Sequence, residues 1–486
     1  MTIPETISRV TNTLTQAGFA AYLVGGCVRD LLMGKTPKDW DVATDAKPEQ
    51  ITALFPKTFY ENAYGTVTVV NEEELDLSLR NIEITPFREE AKYSDKRHPD
   101  KVAFSKTIEE DLSRRDFTIN ALAYEPSKRQ IIDLYDGQGD IKDKIVRAVG
   151  KAEDRFDEDP LRILRGVRLA SELGFMINSE TLEAMQRKAD LLSFIAKERI
   201  RDEFSRIILS VNLMTGVVIL HKIGALKQFL PELEEGVHMK QNGDHIYDVW
   251  EHTLRVAQHS ADRNWPLHVR LSALFHDIGK PRTREWNKEK KDWTFYGHDV
   301  VGARMAKKIM DRLKYPKQLS ETVEKLVRYH MFFSDIDKIT LSAVRRIIRN
   351  VSRENVWDLM HVRNCDRIGM GRPKESPYRL RKYESMIEEA LRAPTSVSML
   401  KIKGEDVLRE TNLTPGPKIG QILHALLEEV LEKPELNEEN YLKNRVKELA
   451  KLEDVELEKL GQGGKDKKSE IEEGELKKIR DKYSVH

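Results

Sequence analysis

The sequence predicts an α+β protein, a small mixed head followed by a long all-α body. Three observations predict it. Short β-rich runs bounded by turn residues occur early in the chain and nearly vanish from about residue 140. Apolar spacing at i, i+3 and i+4 dominates the rest of the chain. Turn-rich segments at 241–245 and 369–377 interrupt the helical part as domain joints would. In chain order, "AAYLVGG" (20–26), "GTVTVV" (65–70), "LRNIEIT" (79–85) and "KVAFS" (101–105) read as strands. "PEQITALF" (48–55) and "TIEEDLSRRDFTINALAY" (107–124) have helical periodicity. "DPLRILRGVRLASELGF" (159–175) and "NSETLEAMQRKADLLSFI" (178–195) read as helices, with Gly174 as a stop signal and Asn178 as a cap. The highly charged, Gly-interrupted stretch from 461 to 486 reads as a frayed or disordered tail with helical tendency. No internal repeat is visible.

Composition narrows the function class. Lys+Arg equals Asp+Glu at 81 each, so net charge does not point to a nucleic-acid partner, and any basic surface must be local. The two cysteines, Cys27 and Cys365, are far apart in sequence, which argues against a disulfide scaffold and fits a reducing compartment. The N-terminus lacks the basic and apolar regions of a signal peptide. No apolar run approaches the ~20 residues that span a bilayer. A soluble cytoplasmic protein without membrane partners is expected.

"YLVGGCVRDLLMGKTPKDWDVAT" (22–44) places Gly25 and Gly26 between a strand and a helix, then Arg29, then Asp39 and Asp41. Asp-x-Asp on a strand points both carboxylates to one face. Mg²⁺ takes one or two carboxylates plus substrate phosphates. The glycines let backbone N–H groups approach a phosphate at a helix N-terminus, and Arg29 adds a fork-shaped donor. The segment reads as a nucleoside-triphosphate site with metal. It is not a Walker A loop: Gly34-Lys35-Thr36 is present, but Arg29 stands where G-x-x-x-x-G-K-[ST] requires its first glycine.

The whole stretch resembles the first motif of the class II tRNA nucleotidyltransferase and bacterial poly(A) polymerase family, whose head is of the polymerase-beta type. "RRDFTINALAY" (114–124), "DLYDGQGDIKDKIVRAVG" (133–150), "EDPLRILRGVRLASELGF" (158–175) and "ERIRDEFSRIIL" (198–209) resemble further family motifs in order. The domains expected are a nucleotidyltransferase head (1–148), a neck and body that bind the base and RNA (149–238), an HD domain (239–372) and a helical tRNA-binding tail (373–486). The resemblance implies that Arg115 binds triphosphate or ribose and that Asp116 positions the sugar, with Asn120 beside them. Glu83 in "IEIT" is the candidate third carboxylate, able to take the proton from the attacking tRNA 3′-hydroxyl.

Cytosine and adenine share an amino donor beside an unprotonated ring nitrogen, and uracil and guanine reverse both. A carboxylate and a guanidinium read that pattern. Asp159 and Arg162, at i and i+3, are expected to share one helix face, and the resemblance assigns them this role. Arg165 and Arg168 are placed by the family toward the nucleotide as well.

"YGTVTV" resembles the tRNA enzymes rather than the poly(A) polymerases. "FREEAKYSDKRHPDKVAF" (87–104) resembles the flexible loop of complete CCA-adding and A-adding enzymes that CC-only enzymes lack. Addition of CCA to tRNA from CTP and ATP is the favoured reading, and A-only addition is its alternative.

The helical part holds a second constellation. "HDIGK" supplies His276 and Asp277, "DVWEHTLRV" His252, "GHD" His298, "RYH" His330 and "NCDRIG" Asp366. Such residues on helices can converge on Mn, Fe, Ni, Co, Zn or Mg, and a metal there would activate water for phosphoester hydrolysis. The pattern resembles the HD phosphohydrolase superfamily, which implies 2′,3′-cyclic phosphodiesterase and phosphatase activity. His298 and His330 are the candidates for a second metal. Two rival classes are a phosphohydrolase with a noncatalytic RNA-binding head and a noncatalytic tRNA-binding protein. Intact Asp39, Asp41, Asp159 and Arg162 speak against both. The sequence leaves the oligomeric state open.

Overall fold

The computed structural model describes residues 1–61, 65–89, 103–243, 246–332, 339–392, 397, 400–411 and 413–485. The chain forms two compact units. One comprises 1–330 with 361–373, and the other 331–360 with 374–486.

The head is a seven-stranded sheet. Its strands are β1 (Ala21–Val24), β2 (Trp40–Thr44), β3 (Thr58–Glu61), β4 (Thr66–Val70), β5 (Asn81–Pro86), β8 (Leu122–Glu125) and β9 (Gln130–Asp133), in the order β3-β4-β5-β2-β1-β8-β9. β6 (Arg88–Glu89) and β7 (Ala103–Phe104) form a separate two-stranded ribbon. β2 and β5 pair in parallel, and the other neighbours are antiparallel. The register aligns Asp41 with Glu83. β4 alternates buried and half-buried residues, so Val67 and Val69 face the core formed with the helix Glu5–Gln16.

Beyond the head, helices dominate. Leu161–Leu173 ends at Gly174, whose φ of 71° lies in the left-handed region. The next helix, Ser179–Lys188, is capped by Asn178 accepting from Thr181 N–H. One buried apolar cluster runs without a break from Phe117 through Phe204 and Leu254 to Val327. The segments assigned to neck and HD domain therefore share a core. In the second unit, Leu341–Val351 packs on Tyr378–Leu391, and Phe332 stacks on Tyr383. By packing, residues 331–360 group with the C-terminal part.

Three expectations need correction. The stretch 107–124 is not one helix: Ile108–Ser113 is helical, Thr118–Asn120 is a single 3₁₀ turn and β8 comes next. Sheet pairing of Leu122 to Glu125 overrides the local periodicity. Strands also persist after residue 140, as β10 (Ile145–Val146) with β11 (Met176–Ile177) and β12 (Glu285–Asn287) with β13 (Asp292–Thr294). The tail is one helix, Asp454–Lys482. Its end is anchored by Lys482 on Glu388 at 2.7 Å, by an Arg392–Glu475 ion pair and by fully buried Val485. The strand expectation over 101–105 is met only at β7. The segment 90–102, most of the expected 87–104 loop, lies outside the described residues.

Candidate nucleotidyl-transfer site and metal centre

β1 delivers the chain to Gly25, whose φ is 75° and whose N–H donates to Leu122 O at 3.1 Å. A Cβ at Gly25 would sit 2.9 Å from Arg115 Nη1 and 3.7 Å from Asp41 Oδ2. The left-handed φ, more than these contacts, favours glycine at this turn. Gly26 opens the short helix Gly26–Leu32, which carries Arg29. Arg29 Nη1 donates to Asn120 Oδ1 at 2.7 Å, and Asp30 Oδ1 holds its Nε and Nη2 at 2.9 and 2.7 Å. Arg115 donates from Nη2 to Asp111 Oδ2 at 3.0 Å.

Asp41 is half-buried on β2, while Asp39 lies just before the strand and is exposed. Burial pushes the Asp41 carboxyl up to about 6; Arg115 opposes the shift, and Glu83 and Asp39 add to it. Asp39, Asp41 and Glu83 stand in this part of the head as oxygen donors of the kind that a hard divalent ion takes.

Asp159 and Arg162 are arranged differently from the expectation. Asp159 is not on a helix face with Arg162. It sits in extended backbone (φ −139°, ψ 99°) between Ala152–Glu158 and Leu161–Leu173, because Pro160 separates the two helices. Its Oδ1 accepts from Leu161 N–H at 3.1 Å, and Arg199 donates to its Oδ2 at 2.8 Å. Arg162 pairs with Glu158 at 2.6 Å and donates to Arg114 O at 3.2 Å.

Arg165 Nε donates to Asp116 Oδ2 at 2.7 Å, and Asp116 Oδ1 accepts from Phe117 N–H at 2.9 Å. Burial alone would raise the Asp116 carboxyl, but Arg165 and Arg162 hold it down at about 2. Arg168 is buried and donates to Glu203 at 3.2 Å, tying two neck helices together. The sequence reading did not single out Arg199, Glu203 or Asp111. Arg199 and Glu203 stand inside the "ERIRDEFSRIIL" motif, so a signal was present.

The HD residues converge. His252 lies on Val249–Asp262, His276 and Asp277 come just after Leu267–Phe275, His298 opens His298–Arg312, His330 comes just after Lys317–Tyr329 and Asp366 lies on Val356–Gly369. All six are buried. His252, His276 and Asp366 form one group, and Asp277, His298 and His330 another, each with ligand atoms within 4.8 Å. Asp277 joins the groups. Its Oδ2 is 3.3 and 3.1 Å from Nε2 of His252 and His276, and its Oδ1 is 3.3 Å from Nε2 of His298.

The ring orientations are fixed from outside. Nδ1–H of His276, His298 and His330 donates to the carbonyls of Ala273, Phe295 and Val327 at 2.8, 2.7 and 2.7 Å. Each Nε2 is then the lone-pair nitrogen and faces the centre, as metal ligation requires. Burial takes His330 down to about 3, which keeps it neutral. Burial would also lower His252, but hydrogen bonds to Asp277 and Asp366 carry it up to about 9. Lys280, the lysine of "HDIGK", lies with Nζ 2.6 Å from Asp277 Oδ2. His252, His276, Asp277, His298, His330 and Asp366 are the residues that would hold divalent metal here, which would supply an activated water. Among the described residues, only these six form such groups, and the carboxylates of the head do not.

Comparison with known proteins matches the head, the neck and the HD segment to known domains. Residues 21–147 match the Poly A polymerase head domain, 174–236 the probable RNA and SrmB- binding site of polymerase A, and 249–378 the HD domain. The CC-adding tRNA nucleotidyltransferase of Thermus thermophilus is 34% identical over 428 residues, 84% of this chain and 89% of that protein. The CCA-adding enzyme of Leuconostoc mesenteroides is 31% identical over 439 residues, 90% and 94% of the two chains. The crystal structure of the Bacillus stearothermophilus CCA-adding enzyme in complex with CTP aligns over 92% of this chain and 98% of that one, with a TM-score of 0.58 and 26% identity. Both the head and the HD domain imply divalent-metal dependence. The chain belongs to the family of tRNA nucleotidyltransferases built on the poly(A) polymerase head, and it carries an HD domain within the same polypeptide.

Proposed function

We propose that the protein adds C, C and A in turn to the 3′ end of tRNA, using CTP and ATP without a template. The observation that carries this reading is the convergence of Gly25, Asp41 and Arg115, with Glu83 in register beside Asp41. Asp39 and Asp41 would hold Mg²⁺, which when bound neutralises charge on the triphosphate. Glu83 takes the proton from the attacking 3′-hydroxyl. Arg29 and Arg115 bind phosphate oxygens, Gly25 and Gly26 allow close backbone approach, and the Asp116–Asn120–Arg165 network positions the sugar.

Asp159 accepts from the amino group of C or A, and Arg162 donates to the adjacent ring nitrogen. Uracil and guanine would set a carbonyl against the carboxylate and an N–H against the guanidinium. Arg199 and Glu158 hold these two side chains in place. Arg168 acts through Glu203. Relatives named for CC addition and for full CCA addition resemble the chain about equally, and the segment 87–104 favours the complete reaction.

The HD centre adds phosphohydrolase activity toward 2′,3′-cyclic phosphates, with Mn²⁺, Ni²⁺, Co²⁺ or Mg²⁺. The free, buried cysteines fit a cytoplasmic location. No helix among the described residues is long and apolar enough to cross a membrane.

The test is product sequencing. tRNAs ending before CCA, after C and after CC are incubated with each of the four triphosphates. The wild type should use CTP twice and ATP once, then stop. Deleting residues 90–102 should stop addition after CC. Asp159→Ala should admit UTP and GTP. Equal rejection of those two by Asp159→Ala and the wild type would remove the base-edge mechanism, and ATP use on CC ends alone would establish A-only addition.

A further inference from the structure

β12 and β13 form a hairpin inserted between the ligands Asp277 and His298. It is joined to the HD centre at its base. Phe295, the residue after β13, accepts from His298 Nδ1–H at 2.7 Å. Lys280, which pairs with Asp277, lies with Nζ 5.6 Å from the Phe295 ring centroid. The base of the hairpin therefore adjoins His298.

The hairpin surface combines two chemistries. Trp286 and Trp293 face each other across the strands, edge to face at 5.2 Å. Arg284 covers Trp293 at 3.6 Å, so Trp293 is half-buried, whereas Trp286 remains 52% exposed. Tyr296 is 69% exposed and accepts from Lys290 Nζ at 2.9 Å. The exposed turn 288–291 carries Lys288, Lys290 and Lys291 against Glu289 alone, in a chain of zero net charge. An exposed tryptophan held rigid by a second ring, beside a basic turn, suits a single strand of nucleic acid. Bases stack on the ring and lysines meet phosphates. A duplex would not offer an unpaired base face.

We propose that this hairpin binds the single-stranded RNA leading into the HD centre, so that the centre's substrate is an RNA 3′ end rather than a free nucleotide. Trp286 stacks on a base upstream of the terminal residue, and Lys288, Lys290 and Lys291 contact the backbone. The inference rests on the phosphohydrolase reading of the HD residues. Hydrolysis there breaks one ring P–O bond, a water oxygen joins phosphorus, and the released ribose oxygen takes a proton.

The experiment compares two substrates with Mn²⁺ or Ni²⁺ present: an RNA hexamer ending in 2′,3′-cyclic phosphate and the mononucleotide 2′,3′-cyclic CMP. Trp286→Ala should raise KM for the hexamer about tenfold and leave kcat and the mononucleotide KM unchanged. Trp286→Phe should restore most of the loss. Equal hexamer KM in Trp286→Ala and the wild type overturns the proposal. Failure of the phosphohydrolase reading is seen separately. If the wild type hydrolyses neither substrate with any metal, a hexamer carrying 4-thiouridine at the penultimate position is irradiated with the protein in EDTA. Crosslinking to the peptide containing Trp286 supports the hairpin as an RNA platform, and crosslinking elsewhere overturns it.

Discussion

Asp41 shows how one carboxylate can be poised by its neighbours. Strand pairing brings Glu83 beside it, and Arg115 lies across the Gly25 gap. Replacing Asp41 with Asn removes a charge and little volume. Asp41→Asn should lower nucleotide addition by at least a thousandfold while leaving tRNA affinity within about twofold. Single-turnover addition and filter binding separate the two effects. Asp116 makes a pH-dependent prediction. Its carboxyl is depressed from 3.8 to about 2, so the stability it contributes is fully present above pH ~4 and is lost as pH falls toward 2. That contribution is on the order of 2 kcal/mol. In urea titrations, Asp116→Asn should be less stable than the wild type at pH 5, with the gap closing between pH 4 and 2. A constant gap would mean that the Arg165 pair adds nothing. At this scale, the sequence displayed residue types and spacings but not their partners. Asp39-x-Asp41 and His276-Asp277 stand out as local patterns. The partners of Asp159 and Arg168, Arg199 and Glu203, come from a helix some forty residues away. No local period encodes that approach.

Elements carried the next layer of information unevenly. The helix Leu161–Leu173 was legible because its apolar stripe ends in a left-handed glycine with an Asn cap shortly after it. The stretch 107–124 misled because its apolar spacing suits a helix, while its second half completes a sheet between β1 and β9. The hairpin β12–β13 escaped notice because its strands are three residues long and its turn is charged. Gly279 is legible as part of "HDIGK", but its reason is structural. A Cβ there would lie 2.2 Å from His298 O and 2.6 Å from Gly302 N. The turn after Asp277 and the start of helix His298–Arg312 touch backbone to backbone. Gly279→Ala should push that helix start away, moving His298 from Asp277. A destabilisation of about 1–3 kcal/mol is expected, with metal affinity reduced at the HD centre and nucleotide addition nearly intact. Calorimetric metal titration alongside thermal unfolding tests this. Unchanged metal affinity would show that the contact can relax without moving the ligand.

At the scale of the molecule, the core from Phe117 to Val327 joins the helices around Asp159 and Arg162 and the HD helices in one compact unit. Shared packing raises the question of whether two chemistries depend on each other. Their charged groups are built from separate sets of residues, and no side chain named in one site is named in the other. Independence in chemistry with a common dependence on folding is therefore expected. The choice of variant matters. Asp277→Asn leaves Lys280, buried and 2.6 Å from the lost charge, without its counter-ion, so it should destabilise the fold by several kcal/mol. His330→Gln removes one neutral ligand and strands no charge. It should abolish metal-dependent hydrolysis while CCA addition per folded molecule stays within about twofold. Metal linkage supplies the complementary measurement. An ion bound only by the native centre stabilises it by about 2.7 kcal/mol at a hundred times its Kd. Ni²⁺ or Mn²⁺ should therefore raise the unfolding temperature of the wild type more than that of His330→Gln. If addition collapses in folded His330→Gln, the shared core transmits more than stability, and the two centres are coupled.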